Sequence, residues 1–139
     1  MRVVIDTNLF LSALMVQASL PAHLIALWEE RWFDVLTALD QLDELARVTR
    51  YPKVRERLTP AEAGRLINQL REVAVVIHPL PTVTVSPDPY DNYLLAIAQA
   101  GRADFLITGD KRDLLALQVH EGSRILTVRD FLTMHRRLP

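Results

Sequence analysis

Short apolar runs alternate along this chain with longer stretches whose apolar positions recur at helical spacing. Val3, Val4 and Ile5 form a run that ends at Asp6, the pattern of a strand buried on both faces with a carboxylate at its carboxyl end. Leu9 to Met15 reads as helix. Leu20 to Trp32 reads as a second helix, with Pro21 in its first turn and Leu24, Ile25, Leu27 and Trp28 on one face. Phe33 to Leu36 predicts a short strand, and Leu39 to Arg50 a third helix stopped by Pro52. Thr59-Pro60-Ala61-Glu62 is a helix start: a capping hydroxyl, proline at the first position and a carboxylate at the third. Ala63, Leu66, Ile67, Leu70 and Ala74 continue it, and Val75 to Ile77 predicts the next strand.

His78 to Pro87, with Pro79, Pro81 and Pro87, reads as an extended connection. Asp88-Pro89-Tyr90-Asp91 opens a further helix, which runs through Leu94, Leu95, Ile97 and Ala98 to Gly101 as its C-terminal cap. Phe105 to Thr108 predicts a strand, Lys111 to Leu117 a short helix, Ile125 to Thr127 the last strand and Arg129 to Arg136 the last helix. Strands alternating with helices imply an α/β fold: a mostly parallel central sheet with helices on both faces. Ligands bind such sheets beyond the carboxyl ends of the strands, so residues that end strands carry the functional interest.

The chain has 139 residues, the length of one domain, expected over residues 1–139. Half the residues are apolar and 24% charged, the balance of a globular domain and not of a disordered tail. No apolar run approaches the ~20 residues of a membrane-spanning helix, and MRVVIDTNLF lacks the features of a secretory signal, so no membrane association and a cytoplasmic location are expected. The absence of cysteine excludes disulfides, thiolate nucleophiles and zinc–thiolate sites. A net charge of −1 excludes a general polyanion binder; any nucleic-acid contact has to come from a local patch. Of 16 basic residues only Lys53 and Lys111 are lysine. That bias suits bidentate phosphate binding and equally suits a GC-rich codon choice.

Two acidic residues, Asp6 and Asp110, stand at the carboxyl edge of the expected sheet, and Asp91 and Glu44 reach the same edge if their helices pack there. Asp6 ends the first strand, Asp110 follows the strand Phe105–Thr108, Asp91 lies in the first turn after the proline-rich connection, and Glu44 lies on the third helix. Carboxylates gathered in one pocket repel, and stay ionised only beside compensating cations. Hard oxygen ligands select Mg²⁺ or Mn²⁺, and one or two such ions suit phosphodiester hydrolysis. Bland readings stand beside each: Asp88 and Asp91 fit a helix cap and its third position, Asp130 caps from Thr127, and Glu44 neighbours Asp40 and Asp43 on what would be a solvated face. Asn8 and Thr108 suit either support of the carboxylates or capping, and Asp113 either support or a helix-start charge. No regular run of aromatics marks a base-stacking surface.

Val3-Val4-Ile5-Asp6-Thr7-Asn8, Glu44-Leu45 with Arg47-Val48 and Pro52-Lys53, Asp88-Pro89-Tyr90-Asp91-Asn92, and Leu106-Ile107-Thr108-Gly109-Asp110 occur in an order and spacing that resembles the PIN-domain family of metal-dependent ribonucleases. Within it they are similar to the toxins of toxin–antitoxin systems related to the VapC type. The resemblance covers essentially the whole chain; Tyr51 departs from it, standing where Arg is frequent before the Pro-Lys pair. It implies a three-layer α/β/α sandwich and a pocket in which Asp6, Glu44, Asp91 and Asp110 hold one or two Mg²⁺ or Mn²⁺ ions, supported by Asn8, Thr108, Asp88 and Asp113. It implies hydrolysis of single-stranded RNA, a homodimer and a cognate antitoxin protein. Arg47, Arg50, Lys53, Lys111 and Arg112 are the candidate phosphate contacts. Leu9, Phe10, Leu14, Met15, Leu24, Trp28 and Trp32 offer apolar surface for self-association. A receiver domain would need paired acids after the first strand and a lysine near the last, and an aspartate-nucleophile phosphatase would need Asp at position 8, where Asn stands. A housekeeping RNA-processing nuclease and an inactive PIN fold used for binding share the same features.

Overall fold

A computed structural model describes residues 1–109 and 111–139. The elements in chain order are β1 (Arg2–Ile5), α1 (Thr7–Met15), α2 (Leu20–Glu29), β2 (Asp34–Thr37), α3 (Leu39–Val48), α4 (Pro52–Arg55), α5 (Pro60–Val73), β3 (Val75–Val76), α6 (Pro89–Gly101), β4 (Phe105–Thr108), α7 (Arg112–Leu117), β5 (Val119–His120), β6 (Ser123–Thr127) and α8 (Val128–Met134). The strands form one sheet in the order β3-β2-β1-β4-β6-β5. All pairs are parallel except β5 with β6.

The alternation of strand side chains builds two cores. Val3, Ile5, Val35, Phe105 and Ile107 point to one face, where α1, α2, α3, α5 and α8 cover them. Val4, Leu36, Leu106 and Ile125 point to the other, against α6 and α7. This is the three-layer α/β/α sandwich. Among the described residues no single helix is long and apolar enough to cross a membrane.

The helix starts follow local chemistry. Thr59 accepts from the Glu62 amide while the Glu62 carboxylate accepts from the Thr59 amide, a capping box that starts α5. Ser19 caps α2, Asp88 caps α6 and Thr127 caps α8. Several boundaries shift from expectation. The third helix ends at Val48 rather than Arg50, and Pro52, expected to stop a helix, opens the short α4 at its first position. Helix α2 ends at Glu29, just before Arg31 turns left-handed at φ 64°. The edge strand β5 was not expected. It pairs with β6 through a two-residue turn at Glu121 and Gly122, both at positive φ.

Gly101 has a different role from the predicted cap. It is the last residue of α6, and Arg102 takes the left-handed cap at φ 52° instead. A Cβ on Gly101 would lie 2.6 Å from Leu36 Cδ1 and 3.2 Å from Ile77 Cδ1. Glycine is required there because α6 packs tightly on the sheet, not because the backbone turns.

The apolar residues read as surplus surface go mostly inward. Leu9, Phe10, Leu24 and Trp28 are buried in the core, with Leu14 and Met15 packed against it. Trp32 is 49% exposed and lies under the Arg137 guanidinium, 3.4 Å from its ring centroid. The apolar surface counted toward self-association is therefore largely interior.

Candidate active site

Strand β1 has β2 on one side and β4 on the other, so the chain's crossovers diverge at the carboxyl edge of β1. Asp6 stands at that edge. Its amide donates to the Ile107 carbonyl at 2.9 Å, which fixes it in the seam between β1 and β4. Its side chain caps α1, accepting from the Asn8 amide at 3.4 Å, so the carboxylate faces the positive end of the helix dipole. Asp91, in the first turn of α6, approaches the same point from the opposite layer.

Both carboxylates are 2% exposed, and Lys111 Nζ lies between them, 3.5 Å from Asp6 Oδ2 and 3.4 Å from Asp91 Oδ1. A buried carboxylate needs donors, and each has a hydroxyl donor besides the lysine. Thr108 Oγ1 donates to Asp6 Oδ2 at 2.7 Å. Ser86 Oγ donates to Asp91 Oδ2 at 3.1 Å. Ser86 is itself held by Asn92, whose amide oxygen accepts from the Ser86 N–H at 2.9 Å and whose amide nitrogen donates to the Ser86 carbonyl at 3.1 Å. Burial pushes the Asp91 carboxyl above its ordinary value, against the opposing pull of Ser86 and Lys111. Burial also opposes the Lys111 charge, but Asp6 and Asp91 outweigh it and its pKa is raised.

Beneath Asp6 runs a buried polar chain that sequence reasoning missed. Thr37 Oγ1 donates to Gln41 Oε1, and Gln41 Nε2 donates to the Ile5 carbonyl, each at 2.7 Å. Thr7 Oγ1 shares a 2.7 Å hydrogen bond with the Tyr93 hydroxyl. The Tyr93 phenol is pushed far above its ordinary range, by burial first, with the charges of Glu44 and Asp6 adding to it and the bond to Thr7 opposing. Glu44 therefore sits beside Tyr93. With Asp40, Asp43, Arg47, Tyr90 and Tyr93 it lines a cleft of about 320 Å³. The Arg47 guanidinium lies near Tyr51, Tyr90 and Glu44. Tyr90 is 56% exposed and Tyr51 49%, so aromatic rings scattered in sequence gather on this rim.

The expected carboxylate cluster is thus drawn together only in part. Asp6 and Asp91 meet on Lys111; Glu44 lines the cleft beside Tyr93; Asp110 lies outside the described residues. Among the described residues no three acidic or histidine side chains gather as a metal-holding group. The donors present are all oxygen, carboxylate and hydroxyl, which suits a hard divalent cation, and the pair already draws a positive charge into the pocket. Asp88 is a cap, its Oδ1 accepting from the Tyr90 amide at 3.0 Å. Asp113 and Asn8 are exposed, and Asn8 reaches Asp6 through its backbone. Arg47, Arg50, Lys53 and Arg112 are exposed. Lys111, grouped with them as a phosphate contact, instead turns into the acidic pocket, because Asp6 and Asp91 attract it more strongly than water solvates it there.

An α/β sandwich with paired buried carboxylates beyond the carboxyl edge of its parallel sheet has its ligand-binding position at that edge. Comparison with known proteins narrows this. The PIN-domain model matches residues 2–112. The uncharacterized protein MJ1680 of Methanocaldococcus jannaschii is 32% identical over 118 residues, covering 84% of this chain and 75% of that protein. No solved structure matches. The chain belongs to the PIN-domain family, whose members are generally nucleases and typically bind divalent metals.

Proposed function

We propose that this protein is a metal-dependent endoribonuclease that hydrolyses single-stranded RNA, acting as the toxin of a toxin–antitoxin pair. The observation that carries the reading is the convergence of Asp6 and Asp91, from opposite layers of a PIN-domain fold, on one ammonium. Asp6 and Asp91 would hold a Mg²⁺ or Mn²⁺ ion, which when bound supplies Lewis acidity and counter-charge for a phosphodiester. Thr108 and Ser86 orient the carboxylates by donating to one oxygen of each. Arg47 offers a phosphate contact on the open rim, beside the exposed ring of Tyr90. Single-stranded substrate suits this rim, since unpaired bases are free to stack on aromatic rings. The toxin role rests on the motif order from Val3 to Asp110.

The test is cleavage of a labelled single-stranded RNA with Mg²⁺ or Mn²⁺, with EDTA, and with Asp6→Asn. Metal-dependent cleavage abolished by EDTA and by Asp6→Asn is expected. Cleavage that survives either one refutes the site. Growth arrest on induction in a host, relieved by Asp6→Asn, is the expected mark of the toxin role; unaffected growth by an active nuclease would assign it to housekeeping RNA processing.

A further inference from the structure

Lys111 is the one cation that reaches both buried carboxylates among the described residues. Its distances of 3.5 and 3.4 Å exceed the ~2.7–2.9 Å of a tight charge-assisted hydrogen bond, so it bridges the pair loosely. Its side chain is 29% exposed where theirs are 2% exposed, so a path from the pocket to water is open along its stem. It occupies the cap position just ahead of α7, and the stem has four rotatable carbons. Rotamer changes alone can move the ammonium out without disturbing a helix.

We propose that Lys111 is a resident counter-ion of the pocket. It offsets part of the charge of Asp6 and Asp91 while no divalent cation is bound, and it has to withdraw when one enters. The residue therefore weakens metal binding while stabilising the metal-free protein. This rests on the metal-dependent reading above. Two like charges in one buried pocket are costly, so removing the ammonium strains the empty state. The same uncompensated pair attracts a divalent cation more strongly, since nothing has to be displaced. The two effects have opposite signs, which separates this role from a merely structural ion pair and from a metal-assisting one.

The experiment uses Lys111→Met and Lys111→Arg in the full chain, with Mn²⁺ binding by calorimetry and thermal unfolding in EDTA. Lys111→Met is expected to unfold several degrees lower in EDTA and to bind Mn²⁺ about tenfold more tightly. Lys111→Arg keeps the charge and should stay near wild type in both. Adding Asp6→Asn to Lys111→Met should restore much of the lost thermal stability, and this double variant serves if the single one does not fold. Unchanged or weaker Mn²⁺ binding by Lys111→Met overturns the proposal, as does a double variant no more stable than Lys111→Met in EDTA. Metal-dependent RNA cleavage alongside such a result would remove the counter-ion role alone, whereas cleavage that persists in EDTA would remove the metal-dependent reading beneath it.

Discussion

Gln41 offers the sharpest test of how the fold positions Asp6. It is fully buried on α3, accepts from Thr37 at the end of β2 and donates to the Ile5 carbonyl at the end of β1, each bond 2.7 Å long. Gln41→Leu keeps the approximate volume but leaves the Thr37 hydroxyl without its acceptor and the Ile5 carbonyl without its side-chain donor. A buried polar group stripped of its partner costs roughly 1–3 kcal/mol, and the added apolar burial returns part of that. The expected loss is about 2–3 kcal/mol, or roughly 6–10 °C in melting temperature for a domain of this size. Thr37→Val strands only Gln41 Oε1 and should cost about 1–2 kcal/mol. In the double variant the Thr37–Gln41 mismatch disappears from both sides, so its cost should fall short of the sum by about 1–2 kcal/mol. Urea unfolding of wild type and the three variants, with unchanged slopes, measures the cycle. A Gln41→Leu cost below about 0.5 kcal/mol, or a strictly additive double variant, would refute the claim that this bond pins the strand end ahead of Asp6.

Gly101→Ala gains up to ~1 kcal/mol of helix propensity but forces Leu36 and Ile77 to move, at about 1–3 kcal/mol, so a net loss of about 1 kcal/mol is expected by thermal unfolding. A stabilised variant would show that the α6–sheet contact gives way more easily than its 2.6 Å approach implies. Thr59→Ala should cost about 1 kcal/mol by removing the capping box of α5. The Glu62 carboxyl is held below its ordinary value, first by the Thr59 amide and then by the Thr59 hydroxyl. Its stabilising contribution is therefore complete above the ordinary glutamate range and fades as pH falls through the lower folded value. The gap in urea midpoint between wild type and Glu62→Gln should narrow from neutral pH to acid; a gap that widens would reverse the assignment.

How much of this was legible beforehand depended on the range of the interaction. The strand β1, the cap at Thr59 and the carboxylate at Asp6 are written in neighbouring residues, where burial on both faces or a capping box leaves a local pattern. Gly101 was visible as a helix-end glycine, but its reason lies in Leu36 and Ile77, which no local pattern connects to it. Gln41 stands among Asp40, Asp43 and Glu44 with no local signal of burial, and only the sheet shows that it turns inward to Thr37 and Ile5. Lys111 beside Arg112 read as an outward basic pair. The fold separates them, turning the first into the pocket and leaving the second exposed. The tyrosines show the same limit: Tyr51, Tyr90 and Tyr93 carry no periodic signal, yet α6 brings Tyr90 and Tyr93 to Arg47 and Glu44, and Tyr51 ahead of α4 reaches Arg47.

The pocket is tolerable to the fold because its charged groups are also structural ones. Asp6 caps α1 with the carboxylate that meets Lys111, and Asp91 occupies the acidic first-turn position of α6. Helix N-termini favour negative charge, so two elements that need a carboxylate for their own starts deliver both to one edge of the sheet. Thr108 and Ser86 then offset burial by donating to one oxygen of each, while Asn92 fixes Ser86 in place. Neutral donors and helix dipoles still leave two negative charges facing each other. That residual demand can be met by an ammonium, by proton uptake or by a bound cation, and the raised Asp91 value shows that burial already presses toward protonation. On the proposed reading, a pocket balanced so closely would take up a divalent ion by exchanging one counter-charge for another, without rebuilding the strand ends and helix starts that hold its carboxylates.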